Sequence, residues 1–163
     1  MAALRGGSPN SQESDYPAGF SHPTLKLSPF LGQLPSGWKR RINDCGPCCL
    51  EIVARHYEIK VDMPRLRRLT GLRWWGTTLL NLSRAARELG FTATSVEVTF
   101  DGLRCVPFPC IVHIRSNHFV VVHYADAREV WLTDPARGCL RMPKELFCAQ
   151  SKGVALLLWP DGC

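Results

Sequence analysis

The longest unbroken apolar run in this chain is six residues, Val154 to Trp159. A helix that crosses a bilayer needs roughly 20 such residues, so no span is encoded and the run suits a buried strand. Met1 to Gly7 holds a basic residue with no apolar segment behind it, so it does not read as a secretory signal. The expected location is therefore the cytoplasm, where the eight cysteines stay reduced and form no disulfide framework. Internal repeats are lacking, and so is any recognisable nucleic-acid motif. The formal charge of +6, with Arg65, Arg67 and Arg68 close together and Arg73 nearby, reads as the solvated face of a short helix rather than a nucleic-acid surface. Metal-site spacing is incomplete as well. Cys45-x2-Cys48-Cys49 and Cys105-x4-Cys110 could begin a zinc site, but no second CxxC or CxxH pair completes one. Cys48 and Cys49 also fall inside an apolar helical pattern, where adjacent side chains diverge, and Cys110 opens an apolar strand.

What remains is the composition of an ordinary globular domain, with 163 residues, 45% hydrophobic and 21% charged. That length allows one sizeable core. Residues 1–37 are rich in Ser, Pro and Gly without apolar periodicity, and are expected to form a disordered arm. Leu25, Leu27, Phe30, Leu31 and Leu34 could dock on the domain or on a partner. The folded domain is expected over residues 38–160. Its first helix, about 46–57, has Asn43 or Asp44 as N-cap, Pro47 in the first turn and an apolar face of Cys49, Leu50, Val53, Ala54 and Tyr57. Met63–Leu69 forms a second helix. A third opens at Gly76-Thr77-Thr78 with Thr77 as N-cap, buries Leu79, Leu82, Ala86 and Leu89, and stops at Gly90. From Phe91 the period shifts towards 2. Strands are expected at Thr92–Val98, Cys110–Ile114, His118–Tyr124, Glu129–Thr133 and Val154–Trp159, with one more helical turn at Pro143–Cys148. Helices first and strands after imply an α+β fold, with the helices on one side of an antiparallel sheet.

Cys45 sits at the mouth of the first helix, where free N–H groups and the positive end of the dipole favour a thiolate. The bland alternative is one more small buried hydrophobe. A cysteine nucleophile needs a base, and the base an orienting group. His22 lies in the arm, and His56 is about three turns beyond Cys45, out of its reach. His113 reads as a satisfied core or surface histidine. His118 opens the apolar strand HFVVVH straight after a polar loop, and its side chain should point opposite to that of His123, five residues on. Across the hairpin centred on Asp126, Asp134 is as far from the tip as His118, so the two should sit almost side by side. An imidazole beside a carboxylate, with a helix-mouth cysteine, is the logic of a thiol hydrolase. Otherwise Asp134-Pro135 is only a turn opener.

Five blocks then resemble the peptidase C39 family: Asp44-Cys45-Gly46-Pro47; Gly76-Thr77-Thr78-Leu79 leading to Ala85–Gly90; Pro109-Cys110-Ile111; Asn117–Val122; and Asp134-Pro135-Ala136-Arg137-Gly138. They fall in order between about residues 38 and 160. The resemblance implies a papain-like cysteine peptidase fold of the kind usually fused to bacteriocin-processing ABC transporters. It implies cleavage of a precursor peptide after a Gly-Gly leader on the cytoplasmic side, with Cys45 as nucleophile, His118 as base then acid, and Asp134 orienting the imidazole. A narrow cleft would admit only glycines at the scissile bond, and a hydrophobic groove would hold the leader helix. Neither metal nor nucleotide would be needed for that step.

Two positions depart from the family pattern. The usual oxyanion glutamine, six residues before the nucleophile, is here Lys39, a more flexible and more hydrated donor; Gln33 would substitute only if the loop doubled back. No transporter segment follows residue 163, so any transporter partner is expected to be a separate chain at the inner membrane; a free-standing peptidase working in trans and an orphaned fragment of a larger gene both fit. Two alternatives stay open: an impaired module that binds leaders without cutting them, and a papain-like amidase or acyltransferase with another substrate.

Overall fold

The computed structural model describes residues 43–115 and 117–162. The expectations for the arm of residues 1–37, for the domain start near Trp38 and for Lys39 lie outside the described residues. Eleven elements follow one another. They are α1 (Cys45–His56), α2 (Met63–Leu69), α3 (Leu79–Glu88), β1 (Phe91–Glu97), α4 (Phe100–Leu103), β2 (Cys110–Ile114), β3 (His118–Ala125), β4 (Glu129–Asp134), β5 (Gly138–Pro143), α5 (Lys144–Gln150) and β6 (Ser151–Pro160).

Helix α1 is buried along Cys49, Leu50, Val53 and Ala54, the spacing of one helical face. Burying a side chain of Val or Leu size contributes about 1.5–3 kcal/mol relative to leaving it in water, so this face anchors the helix. Its N-cap is Asp44, whose side chain makes no capping bond; the carboxylate accepts instead from Arg67 Nε at 3.0 Å. Arg67 is thus partly buried against α1, which corrects the reading of that cluster as only a solvated face. Helix α2 is capped by Asp62, whose Oδ1 accepts from Arg65 N at 2.9 Å. The N-cap of α3 is Thr78, which accepts from Asn81 N, and not Thr77. Thr77 is buried and donates its hydroxyl to Thr70 O at 2.6 Å.

All neighbouring strands pair antiparallel, in the order β1-β6-β2-β3-β4-β5. Helices α1 to α3 pack over one face, where Leu50, Val53, Leu66, Leu82 and Ala86 meet Phe91, Ile111, Phe119, Val121 and Leu156. The opposite face is also covered. Phe100 and Leu103 of α4 and Phe147 of α5 join Val112, Val120, Leu132 and Ala155 in a second core. Neither α4 nor β5 was expected. Four residues are too few for a 3.6-residue period to show, and β5 carries Gly, Arg and Pro and buries only Met142. As an edge strand it pairs with β4 alone, where Pro143 at its end is tolerated.

Candidate active site

Three segments meet at one end of the sheet. The N-terminus of α1 brings Cys45, half-buried, with its sulfur 3.9 Å from Asn117 O. Asn117 is the last residue before β3 and holds φ +68, a left-handed conformation that Asn tolerates better than most residues. The following His118 N donates to Arg115 O at 2.8 Å, which closes this tight turn. At the end of β4, the Asp134 carboxylate is buried and accepts from His118 Nε2 at 2.9 Å and from Ala136 N at 2.7 Å. Because Nε2 faces the carboxylate, Nδ1 is the ring nitrogen left for the sulfur.

His118 and Asp134 are therefore adjacent, but by a different register from the one expected. Strand β3 pairs with β4 as Val121↔Thr133, with a shift between Val122 and Tyr124. Extended along the ladder, that register sets Asp134 opposite Val120, so the pair meets on the diagonal. The irregularity falls at His123, whose ring contacts Thr133 Oγ1 at 2.8 Å, away from the cysteine. Burial pushes His123 down to about 3 and keeps it neutral. His113 is not satisfied as expected: its Nε2 is buried with no hydrogen-bond partner among the described residues, and the ring stacks on Phe119 at 4.9 Å.

The hydrogen bond to Asp134 raises the His118 pKa, the neighbouring Cys45 sulfur adds to the rise, and burial opposes both; the result is about 9. Burial would raise the Asp134 carboxyl, but the His118 bond, the Ala136 N–H and the nearby positive charges hold it below the usual range. An ionised carboxylate thus faces a protonated imidazole at neutral pH, with the Cys45 sulfur on the other side of the ring. The remaining cysteines of α1 and β2 are of a different kind. Burial pushes Cys110 up to about 12 and Cys49 well above the ordinary thiol value, so both stay protonated hydrophobes. Among the described residues, no three His, Cys, Asp or Glu side chains converge as metal ligands.

One part of the surroundings has no signal in the sequence pattern. Arg73 and Gly76 exchange two backbone hydrogen bonds of 3.0 Å each, so Trp74 and Trp75 form the tip of a two-residue turn. Asn43 Nδ2 donates to Trp74 O, and Asn117 Nδ2 donates to Trp75 O at 3.2 Å. No periodicity reports a contact between residues 31 or 42 positions apart.

The sequence profile of the "Peptidase C39 family" matches residues 38–162. Among curated relatives, the chain is 33% identical over 139 residues to the colicin V secretion/processing ATP-binding protein CvaB of Escherichia coli. That match covers 80% of this chain and 20% of CvaB; the chain spans about a fifth of the length of the first curated relatives it matches. Among solved structures, one similar fold is a double glycine motif protease from an AMS/PCAT transporter, crystallised in complex with the leader peptide. Its TM-score is 0.73 at 29% identity, covering 79% of this chain and 93% of that one. Another is the peptidase domain of Streptococcus ComA, a bi-functional ABC transporter of a quorum-sensing pathway, with TM-score 0.72, 31% identity and coverage of 80% and 99%.

Proposed function

This chain belongs to the peptidase C39 family, and from that premise we propose that it is a cysteine peptidase that cuts precursor peptides after a double-glycine leader. The observation that carries the reading is the His118–Asp134 pair, Nε2 to Oδ1 at 2.9 Å, beside a cysteine at a helix mouth. In the proposed cycle the Cys45 sulfur attacks the carbonyl carbon of the second glycine, with its proton held on His118. The tetrahedral oxyanion lies near the first N–H groups of α1, which have no intrahelical acceptor. His118 then donates its proton to the departing amine, leaving a thioester on Cys45. Water, deprotonated by the now neutral imidazole, hydrolyses the thioester and regenerates the thiol. Asp134 holds the ring orientation and the imidazolium charge throughout.

The substrate reading rests on likeness: two similar solved structures are a double glycine motif protease and a transporter's peptidase domain. By the same likeness the partner is an ABC transporter on the cytoplasmic side of a membrane. Among the described residues no helix is long and apolar enough to cross a membrane. Incubation with a synthetic leader peptide ending in Gly-Gly, under reducing conditions, tests the reading by mass spectrometry. Cleavage after the second glycine should vanish in Cys45→Ala; cleavage that survives the substitution sinks the role of the sulfur.

Lys39 favours a second reading, a module that binds leaders without efficient cutting. Losing one preorganised oxyanion donor lowers the rate by about 10²–10³-fold. Under the first reading with an impaired oxyanion site, Lys39→Gln should therefore raise kcat by about 10²-fold or more at unchanged KM. An unchanged kcat would mean that the Lys39 position does not face the oxyanion.

A further inference from the structure

The turn Arg73-Trp74-Trp75-Gly76 sets two large apolar rings in water. Trp74 is 81% exposed and Trp75 49%. The rings meet edge to face at 4.9 Å, and the Arg73 guanidinium lies 5.3 Å from the Trp75 centroid. Indoles left this exposed contribute little to folding, yet the turn carrying them is held firmly. Gly76 takes φ +101, which a side chain would strain. Next to it, Thr77 is so close to Gly46 that a Cβ there would stand 2.3 Å from Thr77 Cγ2.

Both tip carbonyls are tied to the reacting residues. Trp74 O is held by Asn43, two residues before Cys45, and Trp75 O by Asn117, the residue before His118. Asn117 at the same time places its own carbonyl 3.9 Å from the Cys45 sulfur. The turn is therefore registered against nucleophile and imidazole through two side-chain clamps and one van der Waals contact. An aromatic pair held beside Cys45 and His118 and left exposed matches the composition of binding hot spots.

We infer that the Trp74-Trp75 turn is a specificity-determining wall of the cleft, which packs against an apolar side chain of the peptide substrate close to the scissile bond. This rests on the peptidase reading above. The occupant is the peptide, because the clamps reach only residues that flank the reacting groups. The Arg73 guanidinium beside Trp75 leaves Trp74, the more exposed ring, as the main contact.

The test compares the unsubstituted protein with Trp74→Ala, Trp75→Ala and the double variant on one synthetic peptide, an amphipathic leader ending in Gly-Gly followed by a short polar tail. Kd for the same peptide is measured in a Cys45→Ala background. KM and Kd should rise together by about tenfold or more in the double variant, with kcat within about threefold. Phe at both positions should restore most of the affinity, and alkylation of Cys45 by iodoacetamide, which needs no peptide contact, should keep its rate. KM and Kd within twofold of the unsubstituted protein would overturn the inference. A fall in alkylation rate matching the fall in kcat/KM would also overturn it, since the turn would then be shaping the nucleophile. If the unsubstituted protein neither cuts nor binds the peptide, the peptidase reading fails and this inference with it; cleavage by the unsubstituted protein separates the two failures.

Discussion

Asp134 is buried, accepts two hydrogen bonds and stays ionised, and its hydrogen bond with His118, reinforced by its charge, is the main reason His118 is protonated up to about 9. Charge and acceptor can be separated by substitution. Asp134→Asn keeps an oxygen that can accept from Nε2 but removes the charge. The alkaline limb of the pH–rate profile should then move from about 9 towards the ordinary histidine value of 6.5. Asp134→Ala removes the acceptor as well and should lower kcat by about 10²-fold or more. The profile of Asp134→Asn, measured as kcat/KM from pH 5 to 10, decides the point: an unmoved alkaline limb would mean that His118 does not titrate against this carboxylate.

The first turn of α1 is the element on which the site depends, and it is held from two sides. Arg67 of α2 binds the buried Asp44 carboxylate just before Cys45. On the other side Gly46 lies against Thr77 and Leu82, where an added Cβ would meet Thr77 Cγ2 at 2.3 Å and Leu82 Cδ2 at 3.1 Å. Thr77 cannot swing away freely, since its hydroxyl is bonded to Thr70 O. Gly46→Ala should therefore destabilise the fold by about 1–3 kcal/mol, the usual cost of overpacking a tight core. It should also lower kcat by displacing the helix mouth beside the sulfur. Thermal unfolding and peptide cleavage measured on the same variant check both parts, and a variant with unchanged midpoint and rate would show that this contact is slack.

At the scale of the whole molecule the His118–Asp134 pair ties the start of β3 to the end of β4, so its ionisation is linked to folding. His118 is raised from 6.5 to about 9, and its contribution is complete below about 6.5 and lost as pH rises through about 9. Asp134 is lowered, and its contribution is complete above the ordinary 3.8 and lost as pH falls through its lowered folded value. Both contributions are complete between roughly pH 4 and 6.5. The melting-temperature gap between the protein and His118→Ala should thus be widest near pH 5–6.5 and close by about pH 10. Melts at pH 5.5, 7.5 and 9.5 measure it; a constant gap would remove the pair from the stability of the fold.

Much of this organisation is written in local pattern. Apolar spacing and N-terminal turn residues place α1, α2 and α3 to within a residue or two, because helix periodicity and capping are properties of neighbours along the chain. The five strands other than β5 follow from the change of period after Gly90, and β2 runs from Cys110 to Ile114 as the pattern indicates. Cys45, His118 and Asp134 stand out by residue type at element ends. What the pattern does not carry is every contact made across long sequence separations. The register Val121↔Thr133 depends on an irregularity at His123 that alternation does not reveal. The Asp44–Arg67 pair spans 23 residues, and either partner alone reads as a cap or a surface charge. The second core under α4 and α5 and the edge strand β5 form because the other face of the sheet is apolar too. The clamped Trp74-Trp75 turn lies beside the cysteine only because α1, the loop before α3 and the start of β3 are packed together. Periodicity and capping act within a few residues, whereas these features are set by which distant surfaces exclude water against each other.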